Sequence, residues 1–568
     1  MKKKNQNNLR VIFAALSASA LMLTLIQPPF GLSALAWVSL VPLILISSPA
    51  SSPKSLAISA YIISFFYWLA NLYWIIPVTA IGWIAFCLYI ALHWPIIILS
   101  IRFCRKMKIP LLIAVPIIIV GAEHLQGFFL GVFYWRFMSH SQYANTTIIQ
   151  IADMLGAAGV YFMIAMVNAL AAELILNIAN GKKFKAPEFT KVVIATVTLT
   201  AAIAYGRWRI EQSERFVETG PMVGAIQTNI PQTVKDSPDA TEEIFKNLLL
   251  ENSSAASAGA ELIIWPETMI QTVLDDRVLN ALHPLTRGNI FDTILRDNAR
   301  NRCFILAGAT GGAPEIKDNN SVELCQKYNS AFLYRPDGTK SPEQYNKIHL
   351  VPFGEYVPFK KSRPWLYNIL MSLTPYDYDY SLDFGTEYTV CEMAKDPNAR
   401  TYKFGVMICY EDTIPAIAKN FALDPQGRKQ IDWLVNISND GWFVRFDEQN
   451  RVYPSTELAQ HAAVCVFRAV ENRLAVVRSV NTGISCMIDP LGRVVNGFAA
   501  GNLPSNAMSR KGISGWFADK VPIDKRVTFF SKHGQMLDIS CEICLGGLII
   551  VQLLAGVGKI LFRKGRVM

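Results

Sequence analysis

Val406-Met407-Ile408-Cys409-Tyr410-Glu411-Asp412 is an apolar run that closes on a cysteine, then on a tyrosine and two acids. Preceded by Tyr402-Lys403-Phe404-Gly405, it predicts a buried strand whose carboxyl end opens into a site, where α/β sheets carry their chemistry. Cys409 is placed like a nucleophile. A thiol attacks as thiolate, so it needs a base or a positive charge nearby, and donors for the oxyanion that forms on the substrate. Two upstream stretches offer these groups. Leu262-Ile263-Ile264-Trp265-Pro266-Glu267 is a second apolar strand ending in a carboxylate. Tyr345-Asn346-Lys347-Ile348-His349-Leu350-Val351-Pro352-Phe353-Gly354-Glu355 supplies a lysine and a further acid.

Taken singly, each residue has a plain reading. A strand cysteine is ordinarily a packing residue, Glu267 a loop acid after a proline turn, and Lys347 a solvated charge. In the order Glu, Lys, Cys, each in its own stretch, they resemble the triad of the nitrilase superfamily. Within it, Trp265-Pro266-Glu267, the 346–355 stretch and the apolar runs described below are similar to the apolipoprotein N-acyltransferase family. That resemblance implies Glu267 as general base, Cys409 as nucleophile, and Lys347 with the backbone N–H of Tyr410 as oxyanion stabilisers. Glu355 reads either as a support for Lys347 or the thiol site, or as a turn carboxylate after Gly354. Tyr410 and Glu411 match family positions that support the loop bearing the nucleophile. No metal or organic cofactor is expected.

At 568 residues the chain exceeds one globular core. It is 52% hydrophobic and 17% charged, with a mean hydropathy of +0.26, which points to a membrane. The net charge of +10 does not indicate nucleic acid, because Lys and Arg crowd the termini and the short loops between apolar runs, as orientation signals do. Ten cysteines at irregular spacing make no convincing zinc site. Cys541 and Cys544 read as neighbours on one helix face, and Cys303 and Cys325 as oxidisable if exposed outside the cell.

Residues 2–10 are basic and lead into an apolar run at 11–26, the pattern of a signal peptide. The small residues lie inside the run and further runs follow at once, so an uncleaved first span is expected. The other candidates are 35–46, 57–74, 81–101, 111–120, 160–176, 192–204 and 543–561, about eight spans in all. Lys2–Lys4, Lys54, the 102–108 cluster, the 182–185 cluster and Arg563, Lys564 and Arg566 then fall on one side, the inside. The expected organisation is a membrane domain over 1–207, an extracytoplasmic catalytic domain over 208–539, and a final membrane helix over 540–568. The resemblance implies a bacterial inner membrane with the catalytic domain in the periplasm. The aromatic loop through Phe128, Phe129 and 133–135 marks either the headgroup belt or a lipid entrance.

After Arg215, short apolar runs alternate with helical and turn segments: 222–230, 261–265, 303–309, 331–334, 404–408, 433–437, 474–480 and 484–488 are candidate strands. Several are apolar on both faces, as in a sheet covered on both sides. The resemblance names the architecture, a nitrilase-like α-β-β-α sandwich. Asn481-Thr482-Gly483 reads as a turn between two strands. Arg468 and Glu471, one helical turn apart, read as a surface pair, and His461 as a polar residue at a helix start, because Glu267 already fills the base role. Residues 365–371 read as a membrane-touching arm or an amphipathic core helix. Two departures from the family stand out. Asn229-Ile230-Pro231-Gln232 leads to Lys235-Asp236 where the family commonly has a tryptophan, and 444–455 is longer than the family pattern.

Three functions fit. As the resemblance implies, an acyl chain passes from a membrane phospholipid to Cys409 as a thioester, then to the α-amine of a diacylglyceryl-cysteine on an apolipoprotein. A membrane-tethered amidase or nitrilase keeps the chemistry and gives the acyl group to water. A non-catalytic transporter or binding module would not need all three triad residues.

Overall fold

The computed structural model describes residues 2–564 apart from 129–132, 182, 184, 236, 238–239, 318–321, 373, 375–377, 395–398 and 450. Phe129, Lys182, Asp236 and Arg566 therefore lie outside the described residues. The chain forms two compact units, one of Met1–Tyr73, Ile81–Glu211 and His533–Met568, the other of Trp74–Ala80 and Gln212–Lys532.

The first unit is helical. Among the described residues four helices are long and apolar enough to cross a membrane, Ala80–Lys106, Ala152–Ala179, Ala186–Phe216 and Met536–Gly556, and Leu9–Leu25, Ser33–Ile46 and Leu111–Gly127 are shorter apolar helices. Pro53–Asn71 starts on Ser52, whose hydroxyl accepts the Ser55 N–H, with proline in the first helical position. Ala152–Ala179 is interrupted at Gly156, where φ of 67° suits a residue without a Cβ.

The run expected at 35–46 is not one helix. It divides into a 3-10 turn, Ser33–Trp37, and a short helix, Val41–Ile46. A break in apolar surroundings leaves backbone groups without partners, and the fully buried Asn168 supplies them. It accepts the Leu40 N–H at 2.8 Å and donates to the Ala36 carbonyl at 2.9 Å. Arg105 caps the far end, donating to the carbonyls of Ile44 and Leu45.

The second unit is built on two sheets. The larger runs in the order Ala500–Gly501, Gly515–Asp524, Val217–Gln227, Leu262–Ile264, Phe304–Ile316, Val322–Tyr334, Tyr345–Asn346, with Ile270–Val273 beside Phe304–Ile316. The smaller runs Cys486–Ile488, Ala475–Val480, Trp433–Ser438, Tyr402–Ile408, Val390–Met393. Helices Thr241–Ser257 and Arg287–Ala299 pack on the first sheet, and Pro415–Ala422 and Thr456–Asn472 on the second. The sheets face each other through Val217–Gln227 and Ala475–Val480, which gives the α-β-β-α layering. Tyr402–Ile408 and Trp433–Ser438 pair in parallel and are buried or nearly so, as a covered sheet requires.

Strands Gly515–Asp524 and Val390–Met393 were not anticipated. Gly515–Asp524 is interrupted by charge and by Pro522, so its apolar pattern is weak, and its place comes from antiparallel pairing with Val217–Gln227. Trp74–Ala80 lies between apolar runs in sequence yet belongs to the second unit, where the Trp74 ring meets Phe443 edge-on at 5.1 Å.

Candidate active site

Glu267 follows strand Leu262–Ile264 and is buried. Trp265 before it anchors the turn, its indole N–H donating to Asn252 at 3.0 Å. The backbone then turns sharply: Thr268 has φ of 45°, and Gly308 on the neighbouring strand must lack a Cβ, which would stand 2.7 to 2.9 Å from the backbone of Pro266, Glu267 and Thr268. Oε1 of Glu267 accepts from Nδ2 of Asn329 at 2.6 Å, and Oε2 from the backbone N–H of Asn439 at 2.8 Å.

Lys347 leaves strand Tyr345–Asn346 and is almost fully buried. Its Nζ stands 2.8 Å from Oε2 of Glu355 and 3.5 Å from Oε1 of Glu267. Burial opposes the ammonium charge, but Glu355 and Glu267 outweigh it and hold Lys347 above the usual lysine range. Of the two readings of Glu355, the geometry favours support of Lys347. The same carboxylate also accepts the Val351 N–H at 2.9 Å, so it closes its own turn as well.

Cys409 stands at the end of strand Tyr402–Ile408 with φ of 54°, where the chain passes into the 3-10 turn Cys409–Thr413. Burial, then the Glu267 charge, push its thiol well above the usual cysteine range, with Lys347 and His461 pulling the other way. Such a thiol could attack only if a base removed its proton. Asn436 donates to the Cys409 carbonyl at 3.1 Å and holds the turn.

Glu411 is fully buried and joins the two stretches. Its Oε1 accepts the N–H groups of Ile348 and His349 at 2.7 and 3.0 Å, and its Oε2 the Ile408 N–H and the Tyr345 hydroxyl at 2.7 and 2.8 Å. The Cys409–Thr413 turn is thereby tied to the stretch that carries Lys347. Burial pushes Glu411 up to about 7 despite these donors. Tyr410 is half-buried, its ring 6.3 Å from that of His349.

His461 does not serve Cys409. Its Nε2 is 2.8 Å from Asp412, and its Nδ1 is 3.3 Å from Asp440 and 3.2 Å from Glu457. Burial opposes its charge, yet Asp412 and Asp440 hold it well above the usual histidine range, so it is a cation among carboxylates. Arg478 also pairs with Asp412 and lies 3.9 Å from Asp440. Asp440, Glu457 and His461 bring their ligand atoms within 4.8 Å of one another, a donor set of the type that binds divalent ions. Here His461 and Arg478 supply the positive charge that such an ion would.

The Arg468–Glu471 pair is not on the surface. Both side chains are buried, and Arg468 donates to Glu471 at 2.9 Å and to the Thr413 carbonyl at 2.9 Å, at the end of the Cys409–Thr413 turn. A short polar spacing cannot reveal which face of the helix Thr456–Asn472 is covered, and this one is buried along its whole length. Helix Pro364–Met371 has no buried residue, with Trp365 and Ile369 exposed, which removes the core-helix reading. All ten cysteines are free; Cys303 is buried and Cys325 exposed.

Sequence reasoning missed Asn329, Asn439 and Asn481. Asn481 reads in the sequence as a turn residue; in the structure it donates to Asn439 Oδ1 at 2.9 Å and accepts from Thr228 and the Ile230 N–H at 2.6 and 2.8 Å. An Asn in a strand or turn has no spacing signal; only its partners identify it.

Residues 19–170 match the family described as the apolipoprotein N-acyltransferase N-terminal domain, and residues 222–503 match the carbon-nitrogen hydrolase family. The chain is 28% identical over 558 residues to the apolipoprotein N-acyltransferase of Geobacter metallireducens, covering 94% of each chain. It is 26% identical over 549 residues to that of Chlorobaculum tepidum, covering 94% of this chain and 93% of the other. A third relative, the apolipoprotein N-acyltransferase of Bdellovibrio bacteriovorus, is 25% identical over 500 residues and covers 85% and 82%.

Proposed function

We infer the chemistry of this chain from one premise: it belongs to the apolipoprotein N-acyltransferase family, and its activity is acyl transfer in lipoprotein maturation. Cys409 is the nucleophile, Glu267 the base, and Lys347 with the Tyr410 N–H the oxyanion stabilisers. The donor is a membrane phospholipid. The acceptor is the α-amine of a diacylglyceryl-cysteine at the start of an apolipoprotein.

In the first half-reaction the Cys409 sulfur attacks an ester carbonyl of the phospholipid while Glu267 takes the thiol proton. Lys347 and the Tyr410 N–H offset the charge on the carbonyl oxygen. The ester C–O bond then breaks, Glu267 returns its proton to the departing alkoxide, and lysophospholipid leaves a thioester on Cys409. In the second half the amine attacks that thioester and passes a proton to Glu267. The C–S bond breaks and the sulfur recovers the proton, leaving an amide.

One observation carries this reading: the buried Glu267 carboxylate, held by Asn329 and Asn439, stands 3.5 Å from Lys347, and the Cys409 thiol lies within the field of both. Glu355 and Glu411 position Lys347 and the nucleophile turn. Four helices fit for a membrane and the exposed apolar helix Pro364–Met371 support work on lipid at a bilayer. The basic loops support a bacterial inner membrane with the catalytic unit on the periplasmic side.

The test is intact-mass measurement of purified protein after incubation with phospholipid. A long-chain acyl adduct on Cys409 that lipopeptide amine discharges is expected. An adduct discharged equally fast by water alone would indicate a hydrolase, and Cys409→Ala protein that still acylates lipopeptide would sink the covalent mechanism.

A further inference from the structure

We propose that Asn329 is a positioning residue of this reaction, its side-chain amide donating to Glu267 and Glu355 at once and so keeping the two acids apart and the base oriented. The inference rests on the reading of Glu267 as the base.

Asn329 sits in strand Val322–Tyr334 and is buried. Its Nδ2 lies 2.6 Å from Oε1 of Glu267 and 3.0 Å from Oε1 of Glu355. Its backbone carbonyl accepts the backbone N–H of Lys347 at 2.8 Å, so one residue touches both carboxylates and the main chain that carries the lysine. The amide has only one workable orientation, because turning it over would put a carbonyl oxygen against two carboxylates.

The charge balance explains why an asparagine stands there. Two carboxylates face the single ammonium of Lys347, which is nearer to Glu355 than to Glu267. A second cation at 329 would compete with Lys347 for Glu267. A carboxylate would repel both acids. An amide supplies two hydrogens and no net charge, so it separates the two like charges without neutralising the base. The Asn439 N–H and the Cys409 thiol also face Glu267, and on the next residue the Thr268 hydroxyl accepts from the Lys235 ammonium at 2.7 Å.

The experiment measures the rate of Cys409 thioester formation in the full-length protein in detergent, using a labelled phospholipid, between about pH 5 and pH 9. Asn329→Asp keeps the shape but adds a carboxylate, and Asn329→Leu removes both donors at similar size. In both, the base is expected to hold its proton to higher pH. The acid limb should move upward, by about one pH unit or more in Asn329→Asp, with at least about a tenfold loss near pH 6 that recovers on the alkaline side. Loss by one factor at every pH with an unmoved midpoint would mean a purely structural role and overturn the proposal, as would wild-type rates in both variants. Absence of a thioester in the wild-type protein would instead bring down the reading of Cys409 and Glu267, and this inference with it.

Discussion

The backbone N–H of Asn439 donates to Oε2 of Glu267 at 2.8 Å across 172 residues of chain. This bond joins the end of a strand in the larger sheet to the loop after a strand in the smaller one. No side-chain substitution removes it directly, but Asn481 holds the Asn439 side chain and can be changed. Asn481→Ala is expected to reduce acyl-enzyme formation and to cost about 1–3 kcal/mol, since it removes the bonds that Asn439 Oδ1, the Thr228 hydroxyl and the Ile230 N–H make with Asn481. Chemical unfolding and thioester trapping measure the two effects; wild-type values in both would show that the loop needs no clamp.

Lys347→Met removes the buried ammonium while keeping its length. The thioester-forming rate should fall by a factor of roughly 10² to 10³, the usual worth of an oxyanion donor. Glu267→Gln and Cys409→Ala should form no thioester. A Lys347→Met protein that acylates at wild-type speed would remove Lys347 from the reaction.

Arg468→Ala should be strongly destabilising. It removes the buried guanidinium that pairs with Glu471 and donates to the Thr413 carbonyl, and breaking such a pair costs about 3–5 kcal/mol. Denaturant unfolding of the detergent-solubilised protein reads this directly. A change below about 0.5 kcal/mol, as at an ordinary surface position, would contradict the burial.

The charge on His461 makes stability depend on pH. Its folded value lies above the unfolded value of about 6.5, so its contribution is fully present below that pH and is lost as pH rises through the folded value. Glu457, pushed up to about 7 by burial and then by Asp440, acts in the same direction. His461→Gln should therefore cost most stability near pH 6 and progressively less in alkaline buffer, as Asp412, Asp440 and Arg478 remain. Melting temperatures across that range test the sign; a loss that grows with pH would refute it.

Membrane orientation can be read with one native thiol and one introduced thiol. Cys325 is exposed in the second unit, and Lys54 is exposed in the first turn of helix Pro53–Asn71 in the first. In intact spheroplasts an impermeant maleimide is expected to label Cys325 and to miss the cysteine of a Lys54→Cys variant. The reverse pattern would place the catalytic unit inside the cell.

Local chemistry made much of this molecule legible from its sequence. An apolar run ending in Cys409, another ending before Glu267, and a third stretch carrying Lys347 and Glu355 could be read because strand hydrophobicity and chain-end polarity are short-range patterns. The switch from long apolar runs to short alternating ones likewise separated membrane helices from an α/β segment. The same logic failed at 35–46, where a length criterion cannot see that Asn168, more than a hundred residues on, pairs the broken backbone.

Partners distant in sequence were decided only by the tertiary structure. Asn329 reaches Glu267 across 62 residues, Glu411 reaches Tyr345 across 66, and His461 reaches Asp412 across 49. Nothing in the spacing of an asparagine, a histidine or an arginine states whether it meets water or a buried carboxylate, because that depends on which surfaces the two sheets exclude from solvent. Residue type and period determined where each reactive group stands on its own strand. The packing of the sheets decided which groups are charged, which are held, and that the Asn439 N–H closes on Glu267.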